Sequence, residues 1–532
     1  MKGFGCLCMA VIVLAAPVAP VSAAARPIIA DLIIRGGMLF DGSDRPAYAG
    51  DVAIKGDRIV FVGPSSRGRV VATRSIDARG QIIAPGFIDP HTHPGDMVSA
   101  TDPATRRIAP WLAQGVTTIV TGIDGGGAAD VQAQFARLAG QPTGPNIASY
   151  VGFGAVRSAV LGAAARPPTA DELVQMRKLV ADAMCGGALG LSAGLFYAPQ
   201  SFATTDEVIA LAREAGVRGG LYDTHQRDES SYGIGLLASV SEAIAIGASA
   251  AMPVHFAHLK ALGVDVHGQA PAVIALIEAA RARGQEVTAD QYPWAASGSN
   301  LISALLPERA QADGLPAIRA RIDDPAQAGW LRTAIADNLR RRGGAESILM
   351  TSAGQPWTGK RLSELAVQWQ VDAIDAALRI IRSNPQGTSI ASFNMTDADI
   401  DILMQQPWMM TGSDGSAGHP RMYATFPEKY ARYVVERGVI SLGTFIRQST
   451  GRTADTLQIA ERGYLRPGYF ADILVFDPAR YAPRADYVRP RELSVGVTTL
   501  LVNGVPVISG GVMGDALPGR PLPRRAVPGC PG

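Results

Sequence analysis

From Ile82 to Asp414 the chain alternates short apolar runs with amphipathic stretches, and that rhythm restricts its fold more than any other feature. Eight runs read as strands: IIAPGFIDPHTH, GVTTIVTG, NIASYVGF, GALGLSAG, GGLYDTH, MPVHFAHLK, QEVTADQYP and WMMTGSD. Between them lie helical patterns such as TADELVQMRKLVADAMC and TTDEVIALAREAG, each opening on a threonine cap followed by acidic residues. Such alternation predicts an α/β architecture, and eight is the number of strands that a (β/α)8 TIM-like barrel requires. SILMTSA and TSIASFN also look strand-like, so a count of eight involves a choice. The barrel is expected over residues 84–456, with an inserted helical lid near 307–366 that does not fit one strand–helix repeat.

On either side the texture changes to short alternating strands with turn residues between them. DLIIRGGMLFDG, GDVAIKGDRIVFVG and RVVATRSIDARG lie before the barrel; PGYFADILVFDP and VTTLLVNGVPVISGG lie after it. Neither set suffices for a β-domain alone. Together, 24–83 and 457–525 are expected to form one small discontinuous β-sandwich, leaving 526–532 as a tail. The first 23 residues have an early lysine, an apolar run broken by Pro17 and Pro20, and small residues around Val21-Ser22-Ala23. That pattern is a secretory signal peptide, with an uncleaved anchor as its alternative. Export to the periplasm is the expected localisation, with no stable membrane insertion after cleavage.

A formal net charge of +2 without basic runs gives no footprint for nucleic acid, and the aromatic residues, 6% of the chain, form no base-stacking platform. Beyond the leader only Cys185 and Cys530 remain, which predicts neither a disulfide framework nor a Cys-x-x-Cys metal knuckle.

Chemistry concentrates on seven histidines: His91, His93, His225, His255, His258, His267 and His419. In a (β/α)8 barrel functional side chains gather at the C-terminal ends of the strands. His91 and His93 end the first run, His225 ends the fifth, His258 lies near the end of the sixth, and Asp414 ends the last. A lone histidine is ordinarily a hydrogen-bonded core residue. Four at one rim with a carboxylate form an N/O set of the kind zinc takes. Strand parity places His258 and Lys260 on one face and turns His255 away, toward the helical layer.

These residues sit in motifs that resemble the amidohydrolase superfamily, specifically the N-acyl-D-amino-acid deacylases. The matching stretches are PGFIDPHTH, GALGLSAGLFYAP, YDTHQRDE, FAHLK, ADQYPW, TGSDG followed by HPRMYATFP, and RGYLRPGYFADILVFDP, from Asp31 to about Arg520. The resemblance implies His91, His93, His225 and His258 as ligands of one or two Zn²⁺ ions. It implies Asp414 as catalytic general acid/base and as a ligand, and Tyr197, Lys260, Tyr292 and Arg421 as holders of the substrate α-carboxylate. Asp124, in TGIDGGG, stands where this family often has a bridging cysteine. It is either a bridging carboxylate or a residue that shapes a glycine-rich turn. The fourth run contains no lysine, so Asp124 is the one side chain available to bridge two metals.

The implied reaction is hydrolysis of N-acyl-D-amino acids to a carboxylic acid and a free D-amino acid. No lysine or arginine occurs from Gln285 to Glu308, which favours neutral or hydrophobic side chains. Dipeptides with a C-terminal D-residue, whose amino group Asp228 or Glu229 could meet, and cyclic amides are alternative substrates. A non-catalytic metal-binding relic is a further alternative. Arg227 is left between orienting substrate and pairing with Asp228 or Glu229. The sequence sets no oligomeric state.

Overall fold

A computed structural model describes residues 1–6, 8, 10, 26–64, 66–67, 69–384, 387–525 and 527–530. The expected leader and its cleavage site lie largely outside these residues. Among the described residues, no helix is long and apolar enough to cross a membrane.

A nine-stranded sheet joins the two ends of the chain. Its alternating strands bury one face, as in Arg58–Gly63, where Ile59 and Phe61 are buried. The seam is the antiparallel pairing of Ile82–Pro85 with Ile473–Phe476. Leu32, Ile34, Val52, Ile473, Val475 and Leu501 pack across it in one core.

The intervening region holds eight parallel runs. They are β1 (Phe87–Asp89), β2 (Val116–Thr121), β3 (Asn146–Ser149), β4 (Gly190–Gly194), β5 (Leu221–His225), β6 (Val254–Phe256), β7 (Val287–Gln291) and β8 (Met409–Thr411). β1, β2 and β3 form one parallel sheet. β4 to β8 pair successively in a second, to which Val151–Gly152, just past β3, adds its edge. At the opposite edges, Thr92 and Gly415 form a parallel bridge and the Asp414 amide donates to the His91 carbonyl at 2.9 Å. These strands are buried throughout, as expected of parallel strands covered on both faces.

The two threonine caps form as the sequence predicts. Thr169 and Glu172 make a reciprocal capping box on helix Ala170–Cys185, and Thr204 accepts the Glu207 amide ahead of Thr205–Gly216.

The insertion is larger than the span 307–366. It begins at strand Ala296–Asn300, which pairs antiparallel with Ser389–Phe393, and that strand pairs with Ile348–Met350. SILMTSA and TSIASFN therefore belong to the insertion. Their apolar runs look alike from the sequence, but they pair antiparallel around a separate core of Leu301, Leu305, Ile335, Leu362 and Ile380.

One expectation is overturned. Cys185 and Cys530 form a disulfide across 345 residues of sequence, with Cα atoms 5.4 Å apart. Spacing says nothing about which cysteines meet. Here the C-terminal segment returns to helix Ala170–Cys185, and the Arg524 amide donates to the Gly187 carbonyl beside it.

Candidate metal centre and active site

The expected side chains converge just past the C-terminal ends of β1, β2, β5, β6 and β8. Asp124 is at the centre. Its Oδ1 lies 3.5 Å from His91 Nε2, 3.7 Å from His225 Nδ1 and 3.5 Å from His258 Nε2, and its Oδ2 lies 3.3 Å from His93 Nε2. Asp414 Oδ1 approaches His93 Nε2 at 3.1 Å and His91 Nε2 at 3.7 Å.

Three of these residues owe their aim to an unusual backbone. Asp124, His258 and Asp414 adopt φ of 54°, 35° and 46°, a region that side chains other than glycine rarely occupy. Gln200 holds the Asp124 turn by donating to the Asp124 carbonyl at 2.9 Å while accepting from the Gly194 amide at 2.8 Å. The next residue, Gly125, has φ of 73°, and a Cβ there would lie 2.0 Å from the Gln200 side chain that holds the turn.

The turn at His258 also corrects the parity argument. β6 ends at Phe256, so alternation does not carry through to residue 258. His255, expected against the helical layer, instead points to the side occupied by the site. Its Nε2 meets Asp290 Oδ2 at 2.9 Å, and that oxygen lies 4.0 Å from His91 Nδ1. Val254 and Phe256 are the β6 residues that join the apolar core.

The donors suit a bound cation. Both ring nitrogens of His91 and Oδ1 of Asp124 are buried without a hydrogen-bond partner. His225 Nδ1 and His258 Nε2 face each other at 2.9 Å. A zinc ion with ligands at 2.0–2.1 Å spaces neighbouring donor atoms by about 3.3 Å, close to what these pairs show. The two Asp124 oxygens look toward different histidines, the disposition a bridging carboxylate needs. The local field also favours positive charge. Burial opposes protonation of His93, yet Asp124 and Asp414 push its pKa up to about 9. Burial would raise Asp414, but Arg421, His258 and His93 hold it well below the usual carboxylate range.

Around this cluster the structure shows partners that spacing did not reveal. Lys260 Nζ lies 2.6 Å from Glu229 Oε1 and 2.7 Å from His258 Nδ1, so it is neutralised by an acid that also fixes the ligand ring. Arg421, buried, pairs with Asp414 Oδ2 at 2.7 Å and lies 4.8 Å over the Tyr292 ring. Tyr197 packs against His225 with ring centroids 4.7 Å apart. Asp89 ties β1 to β8, accepting from the Trp111 indole at 2.8 Å and from the Ser413 amide at 2.9 Å. Arg227 pairs with Glu242 at 2.9 Å, neither of the partners considered from the sequence. Asp228 accepts the amides of Ser230, Gly233 and Gly235, and Glu229 is held by Lys260, so both acids proposed for a dipeptide amino group are engaged.

A narrow cavity opens beside His225, His258 and Asp414. Tyr197, Lys260 and Tyr292 line it and Arg421, the fourth expected holder, does not; Phe196, Tyr232, Ser299 and Arg342 are among its other lining residues. Nothing in the sequence marked Arg342, because it comes from the insertion, in the run LRRRGG, far from any strand end.

Residues 74–508 match the amidohydrolase family, and the chain belongs to that family. Within it, the chain groups with the N-acyl-D-amino-acid deacylases. It is 32% identical to a D-aminoacylase of Alcaligenes xylosoxydans xylosoxydans over 93% of this chain and 98% of that one. A solved D-aminoacylase, studied for a binuclear metal centre with one-metal activation and second-metal attenuation, superposes with a TM-score of 0.79 at 30% identity, covering 93% and 100% of the two chains. The N-acyl-D-glutamate deacylase of Bordetella bronchiseptica, solved with zinc and a phosphonate mimic of the tetrahedral intermediate, gives 0.79 at 31% identity over 93% and 99%.

Proposed function

We propose that the protein hydrolyses N-acyl-D-amino acids, releasing a carboxylic acid and a free D-amino acid, with one or two Zn²⁺ ions as cofactor. The observation that carries this reading is the placing of Asp124 among four imidazoles, with Asp414 beside them at the end of one cavity. His91, His93, Asp124, His225, His258 and Asp414 would hold the metal. Bound there, the ion supplies a Lewis acid and an acidified water, with a pKa of about 7.

The side chains do the rest. Asp414 presents Oδ1 to the histidines and Oδ2 to Arg421, and the guanidinium keeps it ionised and able to accept a proton. As water adds to the amide carbon, Asp414 takes its proton; as the C–N bond breaks, it returns that proton to the departing nitrogen. Tyr197, Lys260, Tyr292 and Arg421 would hold the α-carboxylate and so fix the amide over Asp414; Lys260 and Arg421 both lie against the Tyr292 ring. The buried Tyr292 hydroxyl has no partner among the described residues, which leaves it to donate to substrate.

The same proposal includes a closed (β/α)8 barrel. It is supported by the continuation of β3 into Val151–Gly152 at one junction and by the Thr92–Gly415 bridge at the other. The sheet built from both ends is read as the small discontinuous β-domain. Export to the periplasm belongs to it too, supported by the leader-like composition of residues 1–23 and by a disulfide, which persists in oxidising compartments.

The test is steady-state hydrolysis of paired N-acetyl-D- and N-acetyl-L-amino acids by zinc-loaded protein. The expected outcome is a kcat/KM for the D series at least about 10²-fold above the L series, as a held α-carboxylate and a held amide require. No turnover of any D substrate would refute the reading.

A further inference from the structure

Lys260 and Arg342 line the substrate cavity and Arg421 lies beside it, against Asp414 and Tyr292; two of the three are neutralised. Lys260 is paired with Glu229 at 2.6 Å and Arg421 with Asp414 at 2.7 Å. Arg342 is 2% exposed and, among the described residues, has no carboxylate partner. Its Nε donates weakly to the Ala304 carbonyl at 3.3 Å, and its Nη1 has no hydrogen-bond partner. Burying a guanidinium without a counter-charge is costly, and the cost is recovered when an anion arrives.

Two hydroxyls also line this cavity, that of Tyr232 against the Arg342 guanidinium and that of Ser299 against Tyr197. A guanidinium and two hydroxyls are the donor set that a carboxylate takes. Ring contacts connect this set to the metal ligands. The Arg342 guanidinium is 5.7 Å from the Tyr232 ring, which packs at 5.5 Å on Phe196, which packs at 5.7 Å on His225. On the reading above the α-carboxylate, two bonds from the scissile nitrogen, is assigned to Tyr197, Lys260, Tyr292 and Arg421, whose charges are already shared with Glu229 and Asp414, so Arg342 is the cation left for a second carboxylate. The stretch Gln285–Glu308 is free of lysine and arginine as the sequence shows, and the charge enters from the insertion instead.

We infer that Arg342, with Tyr232 and Ser299, receives the side-chain carboxylate of the substrate, so that N-acyl-D-glutamate or N-acyl-D-aspartate is the preferred class. The inference rests on the hydrolase reading above and refines its substrate.

The experiment measures kcat/KM of the zinc-loaded enzyme for N-acetyl-D-glutamate, N-acetyl-D-aspartate, N-acetyl-D-glutamine, N-acetyl-D-leucine and N-succinyl-D-leucine. The glutamate-to-glutamine ratio, or the ratio for aspartate, should be at least about tenfold, because a site built for a charge leaves its donors unpaired with the isostere. In Arg342→Gln that ratio should fall to about 1, and in Arg342→Lys it should stay above the Gln variant's. A general loss from poor folding lowers both members of the ratio and cannot imitate this. Turnover of leucine and glutamine without preference for either acidic substrate would overturn the inference alone. So would a ratio unchanged in Arg342→Gln, or a preference for N-succinyl over N-acetyl-D-leucine that this variant abolishes. No turnover of any substrate would remove the hydrolase reading and the inference with it.

Discussion

Asp414 joins the two halves of the chemistry, since one of its oxygens faces the imidazoles and the other faces Arg421. Replacing it with Asn keeps the shape and an oxygen donor but removes the base. Asp414→Asn is expected to retain metal, measured by elemental analysis, while kcat drops by about 10³-fold or more, as loss of a positioned acid/base requires. Full activity with full metal would remove Asp414 from that role. At this scale the sequence is informative where function uses rare residues at strand ends. His91, His93, His225 and His258 were legible because histidines are few and four of them close a predicted strand. His255 was misread because parity fails beyond a strand end, at a residue with φ of 35°. Lys260 looked like a free cation; its partner Glu229 lies 31 residues earlier and meets it only in the fold.

Elements were legible from periodicity and caps, and their partners were not. The threonine caps and the eight parallel runs follow from local chemistry. The edges of the insertion do not, because Ala296–Asn300 and Ser389–Phe393 pair across 89 residues of chain. Glycines record the close approach of elements. On β4, a Cβ at Gly190 would lie 1.9 Å from the Leu221 carbonyl of the neighbouring strand, whereas one at Gly329, in helix Ala328–Arg341, would meet open space. Gly190→Val is therefore expected to destabilise the protein by about 3 kcal/mol or more. Gly329→Ala should instead stabilise it by about 0.5–1 kcal/mol through helix propensity. Thermal unfolding of the two variants checks the pair. Equal effects would mean that the strand packing is looser than described.

Across the whole molecule, the C-terminal part of the chain returns twice to earlier residues. Ile473–Phe476 forms the sheet seam with Ile82–Pro85, and the disulfide returns Cys530 to Cys185. Neither contact can be read from local sequence, since each depends on where the intervening 300 or more residues lead the chain. That long excursion also delivers to one place six side chains spread from His91 to Asp414. Anomalous diffraction at the zinc edge, on crystals of the zinc-loaded protein, tests this convergence most directly. The expected result is an anomalous peak bounded by Asp124 and at least two of His91, His93, His225 and His258, with Asp414 beside it. Zinc bound elsewhere, with no peak among these residues, would contradict it.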